Sequence, residues 1–151
     1  MAHNVPLVFI DADVLFAGAA SPQEYGASYV LLRMAEITLI DAIASEQVIE
    51  EAERNLGEKI PQALPSFRML VSRCLRVVST PGMDELVIYQ GLADPKDLPI
   101  LVAAIRENCP WLVTFNVGDY QPGHKDVTVM RPGQFLSKVR GYLSHLRWDN
   151  E

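Results

Sequence analysis

Residues 5–13 read Val-Pro-Leu-Val-Phe-Ile-Asp-Ala-Asp, a short apolar run that stops abruptly at a carboxylate. The run is rich in β-branched and aromatic side chains and has no alternating polar positions. This pattern is typical of a buried strand and predicts one over Val5–Ile10. Two acids, Asp11 and Asp13, follow the strand at once.

Strand and helix patterns alternate along the rest of the chain. Helices are predicted from Ser21-Pro22 to Glu36, from Glu46 to Leu56 between an N-cap at Ser45 and a stop at Gly57, over 58–73, 84–91 and 98–108, and after Pro132. Further strands are predicted over 37–40, 75–78, 111–114 and 127–130. The alternation indicates an α/β fold with a mostly parallel sheet, in a single domain over residues 1–151.

Length and composition exclude several classes of protein. With 151 residues, 49% apolar and 21% charged, the chain has the composition of an ordinary globular domain and not of a disordered one. The longest apolar run, Leu98–Ile105, is far short of the roughly 20 residues that a membrane span needs. The N-terminus shows no signal peptide, and Cys74 and Cys109 form no zinc or disulfide pattern. We therefore expect a soluble cytoplasmic protein that is not in a membrane.

The net charge of −6 hides a segregation of charge along the chain. Residues 1–58 hold ten acids and two bases, whereas residues 59–83 hold four bases and no acid. Residues 84–119 are acidic again, and the remainder is basic. Solvated helix faces explain this pattern, and so does an acidic centre flanked by basic surface that binds a phosphodiester.

Acidic residues stand where the predicted strands end. Asp11 and Asp13 follow the first strand, Asp119 comes shortly after Thr114 at the end of the fourth, and Asp97 opens the most apolar helix. Ligands of open α/β sheets bind beyond the carboxyl ends of the strands, so these acids are candidates for a site. A structural alternative makes Asp97 a helix N-cap and Asp13 a turn residue.

Glu51 is singled out by its place on the helix predicted over residues 46–56. At about 100° per residue, the apolar side chains of this helix share one face, made of Val48, Ile49, Ala52 and Leu56. Glu50 lies nearly opposite that face, whereas Glu51 lies at its border. A carboxylate at the border can reach a cleft beside the core, so Glu51 is the better candidate.

Three or four carboxylates at one edge of a sheet repel each other unless a cation lies among them. Oxygen ligands without His or Cys favour Mg²⁺ or Mn²⁺ over zinc. Such an ion activates water and stabilises displacement at phosphorus. The sequence has no P-loop, no G-x-S-x-G and no G-x-G-x-x-G motif to indicate another chemistry.

Four motifs, in order, resemble those of PIN-domain ribonucleases. The run from Asp11 to Leu15 is similar to the family's Asp-Thr-Asn-Val-Leu opening, and Ser45 with Glu51 six residues later is similar to its second motif. Asp94-Pro-Lys-Asp97 resembles the third motif. The run from Thr114 to Tyr120 resembles the fourth, Thr-Phe-Asn-x-x-Asp-Phe, and residues 130–136 resemble the family's ending.

The resemblance implies a three-layer α/β/α domain and an endoribonuclease dependent on Mg²⁺ or Mn²⁺. It assigns the metal pocket to Asp11, Glu51, Asp97 and Asp119. Glu51 would orient or deprotonate the attacking water, and Thr114 and Asn116 would hydrogen-bond the acids or a phosphate. Many small members resemble VapC toxins, which implies an RNA substrate, a homodimer and an antitoxin protein as partner.

Two residues depart from the family's pattern. Asn116 stands where many members have an acid, which leaves Asp119 as the fourth carboxylate and weakens a second metal position. Asp13 replaces the usual Asn and adds a ligand or a further charge.

Two other functions remain open from the sequence. Asp11-x-Asp13 after a buried strand also matches the first motif of haloacid-dehalogenase-like phosphatases, in which Asp11 would be the nucleophile. That class needs a Lys and a close acidic pair after later strands, and Asp119 has no acidic neighbour before Asp126. The other alternative is a non-catalytic interaction module with a PIN fold.

Overall fold

The computed structural model describes residues 5–20 and 26–146, and in these ranges five strands form one sheet. The strands are β1 (Leu7–Ile10), β2 (Asp41–Ser45), β3 (Leu75–Val78), β4 (Trp111–Val113) and β5 (Thr128–Met130). They lie in the order β3-β2-β1-β4-β5, and every neighbouring pair is parallel. The predicted α/β fold is confirmed, and the described sheet is parallel throughout.

The α-helices of the described ranges lie in two groups. They are α1 (Ala12–Ala20), α2 (Ala27–Glu36), α3 (Glu46–Lys59), α4 (Leu64–Cys74), α5 (Met83–Leu86), α6 (Leu98–Arg106) and α7 (Pro132–Leu143). Helices α1 to α4 and α7 pack among themselves, whereas α5 packs on α6. The chain steps from β1 through β2 to β3 in one direction and returns to β4 in the other, and right-handed crossovers then place the two groups on opposite faces. The layers are therefore α/β/α.

The core lies on both faces of the sheet. Successive residues of β1, from Val8 to Ile10, are all buried, which requires cover on each side. Helix α6 is buried from Leu98 through Ala104 except at Pro99, in agreement with its apolar sequence. Within the described ranges, no helix is long and apolar enough to cross a membrane.

The strand predicted over residues 37–40 is wrong. Helix α2 ends at Glu36, and Thr38 adopts a left-handed conformation with φ of 66° that turns the chain. Ile37 and Leu39 are exposed. The strand that follows, Asp41–Ser45, is rich in small residues and has little intrinsic preference for a sheet, so its pairing between β1 and β3 decides its conformation.

The predicted boundaries around α3 are right at its start and wrong at its end. The Ser45 hydroxyl accepts a hydrogen bond from the Val48 N–H at 3.4 Å, which confirms the N-cap. Gly57 does not end the helix, which continues to Lys59 and stops because Pro61 disfavours helical backbone at Ile60. The single helix predicted over 58–73 is therefore a 3₁₀ turn, Pro61–Ala63, followed by α4.

Helix α1 is a further correction, because no helix was predicted directly after Asp11. Its sequence is apolar nearly all round, so it lacks the periodicity by which surface helices are found. Gly18 allows α1 and α2 to approach closely, since a Cβ at this position would collide with Cδ1 of Leu32. The predicted helix start at Ser21-Pro22 lies outside the described residues.

Several of the other predicted elements differ at their ends, and one differs in its type of helix. The first strand begins at Leu7 rather than Val5, and α6 ends at Arg106. The helix predicted over residues 84–91 is a short α5 followed by a 3₁₀ turn, Val87–Tyr89.

Candidate active site

A small acidic cavity of about 130 Å³ lies beyond the carboxyl ends of the central strands. It is lined by Asp11, Asp13, Glu51, Lys96, Asp97 and Asn116, and we call it the acidic cavity. Asp11 follows β1, and Thr114 follows β4, which pairs with β1. Strand β2 pairs with β1 on its other side, and helix α3, which follows β2, brings Glu51 to the same edge of the sheet. The sheet thus gathers side chains that lie far apart in the sequence.

Asp11 is the most firmly held of these carboxylates. Its side chain is buried, and Oδ1 accepts a hydrogen bond from the Ala12 N–H at 2.7 Å. Oδ2 accepts from the Thr114 hydroxyl at 2.9 Å and from the Tyr120 hydroxyl at 2.7 Å. All three donors are neutral, so the carboxylate is fixed in orientation while its negative charge is left without an ion-pair partner among the described residues.

Asp13 accepts hydrogen bonds through one oxygen only. Its Oδ2 accepts from the Phe115 N–H and the Asn116 side-chain amide, each at 3.0 Å. Oδ2 also lies 3.4 Å from the Thr114 hydroxyl, whose single proton has its shorter contact to Asp11. Oδ1 is buried and has no hydrogen-bond partner among the described residues. Burial, and then the charge of Asp11, raise the pKa of Asp13 to about 6.

Glu51 reaches the acidic cavity from α3, as the helical wheel predicts for the border of the buried face. Val48, Ala52 and Leu56 are buried, Glu50 is exposed, and Glu51 lies between these extremes. Burial is the main cause of a raised pKa at Glu51, and the charges of Asp11 and Asp97 add to it.

Asp97 and Asp119 are joined by a lysine. The Lys96 ammonium donates to Oδ2 of Asp97 at 2.5 Å and to Oδ2 of Asp119 at 3.1 Å. Asp97 occupies the N-cap position of α6, but its side chain makes no capping hydrogen bond, so the cap alternative does not describe its contacts. Burial raises the pKa of Asp97 in spite of the opposing hydrogen bond from Lys96.

The predicted site residues are therefore only partly assembled. Asp11, Asp13, Glu51, Asp97 and Asn116 line the acidic cavity, and Thr114 supports it from behind. Asp119 does not line the cavity and touches it only through Lys96. Ser45 acts as the cap of α3 and does not line the cavity either.

The carboxylate oxygens that line the acidic cavity are chemically suited to bind a hard divalent cation. Four carboxylates line it, one of their oxygens is buried without a partner, and burial with mutual repulsion raises three of their pKa values. In the described ranges no three His, Cys, Asp or Glu side chains are already grouped tightly enough to chelate one ion. A cation held by three of these side chains would require them to move closer together.

Two residues of the site were missed in the sequence. Tyr120 stands where the fourth motif has Phe, and the one signal for a role is its extra hydroxyl, which needs a hydrogen-bond partner when it is buried. Burial, followed by the charge of Asp11, raises its pKa and keeps it a donor. Lys96 stands beside Asp97 in the sequence, and this adjacency was the signal that could have indicated its contact.

Comparison with known proteins identifies the family of the chain. Residues 7–118 match the family model described as the PIN domain, and the match includes Asp11, Glu51 and Asp97. No curated protein matches the chain.

Three solved structures with a similar fold are compared with the chain. PAE2754 from Pyrobaculum aerophilum is 18% identical, with a TM-score of 0.61 over 93% of this chain and 99% of that one. VapBC2 from Rickettsia felis, bound to a DNA fragment from its promoter, is 17% identical, with a TM-score of 0.59 over 82% and 96%. VapC20 from Mycobacterium tuberculosis, a Sarcin-Ricin loop cleaving toxin, is 14% identical, with a TM-score of 0.51 over 70% and 86%. At these identities the likeness shows a common fold only. Because the PIN domain model matches residues 7–118, the chain belongs to the PIN domain family.

Proposed function

We propose that the protein is an endoribonuclease that hydrolyses RNA phosphodiester bonds with Mg²⁺ or Mn²⁺ held in the acidic cavity. The main support is the meeting of Asp11, Glu51 and Asp97, from three separate elements, around one small cavity in a PIN domain. Membership of this family leaves the phosphatase alternative without support. The non-catalytic interaction module remains as the rival that the experiment below tests.

The residues divide the work of hydrolysis according to their contacts. Asp11 and Asp97, with Asp119 drawn in, would hold the cation, which supplies a Lewis acid for the phosphate and lowers the pKa of water. The Glu51 carboxylate has no hydrogen bond or ion pair within the described residues, so it is available to accept the proton of the attacking water. The water oxygen bonds to phosphorus, the bond to the 3′ oxygen breaks, and the 3′ oxygen takes up a proton from solvent and leaves as a hydroxyl.

Asn116 favours a single cation position. Its side-chain amide donates to Asp13, so the nitrogen and not the oxygen is turned toward the nearest carboxylate. Unlike an acid at this position, the neutral Asn116 adds no negative charge for a second cation, and its amide donor is suited to hold a carboxylate or a phosphate oxygen in place.

We also propose that the protein is the toxin of a toxin–antitoxin pair, acts in the cytoplasm and forms a homodimer. The similar folds of VapBC2 and VapC20 support the partnership with an antitoxin. A protein partner or a second copy needs apolar surface, and large apolar side chains are exposed on α5, on the turn after it and on α7. They include Met83, Ile88 and Tyr142.

Cleavage of a mixed RNA substrate tests the activity. The purified protein is incubated with RNA in Mg²⁺, in Mn²⁺ and in EDTA, and calorimetry measures the binding of each ion. We expect cutting with either ion and none in EDTA. Cutting that persists in EDTA contradicts the metal dependence. If the protein neither cuts RNA nor binds an ion, the result supports the interaction module instead.

Tyr120→Phe tests whether the tyrosine positions Asp11. The change removes the 2.7 Å hydrogen bond to Oδ2 and leaves the ring in place, and the resembling motif has Phe there, so the variant should fold. We expect about tenfold slower cleavage, the lower end of the effect of losing a hydrogen bond that orients a metal ligand. Tyr142→Phe, which changes an exposed tyrosine, is the control. An unchanged rate in Tyr120→Phe refutes the positioning role.

A further inference from the structure

Lys96 is the one basic side chain that lines the acidic cavity in the part of the chain that the structure describes. Its ammonium bridges carboxylates from two elements, Asp97 at the start of α6 and Asp119 in the 3₁₀ segment after β4. The Lys96 backbone N–H also donates to the Asp94 side chain at 3.1 Å, which fixes the start of the side chain at this edge. The lysine therefore approaches the cavity from a firmly held backbone.

The bridging ammonium occupies the carboxylates that a cation would need. Asp97 and Asp119 both turn an Oδ2 toward Nζ, and the positive charge offsets their mutual repulsion. A divalent ion at the same oxygens would be repelled by an ammonium a few ångströms away. The lysine side chain is 65% exposed, so it is free to turn outward into solvent when the ion arrives.

The absence of a tightly grouped ligand set among the described residues agrees with this arrangement. Asp97 and Asp119 are drawn to the ammonium, whereas Asp11 and Asp13 both lie at the Thr114 hydroxyl. An isolated ion pair at the surface would contribute little to the free energy of folding. The Lys96 ammonium has two acceptors, and one of them, Asp97, is partly buried.

We propose that Lys96 is a tethered cation that holds Asp97 and Asp119 in the metal-free protein and competes with the divalent ion for them. The proposal rests on the proposed function, because it takes the acidic cavity to be the metal site. Its consequence is that the cavity fills only at a higher concentration of Mg²⁺ or Mn²⁺ than the four carboxylates alone would require. Lys96 thereby sets the metal concentration at which the nuclease switches on.

Calorimetric titration with Mn²⁺ tests the competition. Lys96→Met keeps the apolar stem and removes the charge, Lys96→Arg keeps the charge, and Lys125→Met removes a charge at an exposed position outside the cavity wall. We expect Lys96→Met to bind Mn²⁺ about tenfold more tightly than the wild type, given the repulsion between charges at close range in a partly buried site. Lys96→Arg and Lys125→Met should stay within about twofold of the wild type, since neither changes the charge of the cavity.

Thermal melting gives an independent readout. Lys96→Met should melt at a lower temperature than the wild type in EDTA, because its carboxylates repel each other, and should gain more on addition of Mn²⁺. Equal or weaker Mn²⁺ binding by Lys96→Met, with the wild type still binding, overturns the competition and leaves the nuclease proposal intact. No Mn²⁺ binding by either protein overturns both. Binding by Lys96→Met alone supports the competition.

Discussion

We expect Asp11→Asn to lower RNA cleavage on the order of a thousandfold while the protein stays folded. Asp11 is the carboxylate with the most complete set of hydrogen bonds in the acidic cavity, and its charge is not neutralised by any described base. Removing that charge takes away a ligand of the cation, whose Lewis acidity contributes several kcal/mol to such reactions, and about 4 kcal/mol corresponds to a factor of a thousand. Single-turnover cleavage of a labelled RNA at saturating Mn²⁺ measures the effect.

The fold should survive this change because asparagine has nearly the same shape. Its oxygen can still accept from Thr114 and Tyr120, and the loss of one charge relieves repulsion with Asp13. Asp84→Asn, at an exposed position in the first turn of α5, is the matched control. Cleavage at the wild-type rate by a folded Asp11→Asn would refute the assignment. If that variant does not melt cooperatively, Asp97→Asn at the more exposed edge of the cavity tests the same proposal.

The elements that the sequence predicted well are those whose own pattern matches their environment. β1 is apolar at every position because both faces are covered, and Ser45 caps α3 through a contact only three residues away. The prediction for the region after α2 was wrong because β2 is composed of small residues that form a strand only when β1 and β3 flank them. Local propensity favoured Ile37–Ile40 instead, which the structure places in a turn.

The candidate site shows the same division. A strand end and a helical wheel place Asp11 and Glu51 at one edge of the sheet, and Asp97 was a candidate because it opens the most apolar helix. The contact between Tyr120 and Asp11 joins residues 109 positions apart, and no spacing in the sequence indicates it. The Lys96 bridge to Asp119 spans 23 positions and depends on the path of the loop that leads into α6.

The largest effect on stability is expected at Asp13, and it should depend on pH. The folded protein raises the pKa of this carboxyl from its ordinary 3.8 to about 6, so the folded state binds the proton more strongly than the unfolded chain does. The contribution of the protonated Asp13 carboxyl to the free energy of unfolding is therefore fully present below about pH 4 and is lost as the pH rises through 6. Asn cannot ionise, so the Asp13→Asn variant should become more stable than the wild type as the pH rises.

The size of this difference follows from the shift. Two pKa units correspond to about 3 kcal/mol, and partial solvent screening of Asp13 lowers the expected gain to about 1 to 2 kcal/mol. For a domain of this size that is roughly 4 °C in melting temperature. Melting curves of both proteins from pH 4 to 8 in EDTA measure it, with Glu50→Gln on the exposed face of α3 as the control.

The expected curves lie close together near pH 4, separate mainly between pH 4 and 6, and run parallel at higher pH with Asp13→Asn melting higher. The Asn oxygen keeps the hydrogen bonds from Phe115 and Asn116, so the separation reports the charge and not a lost contact. A constant difference at every pH would show that packing and not ionisation is responsible. Saturating Mn²⁺ should reduce the separation, because a cation in the acidic cavity stabilises the ionised Asp13 that the empty cavity penalises.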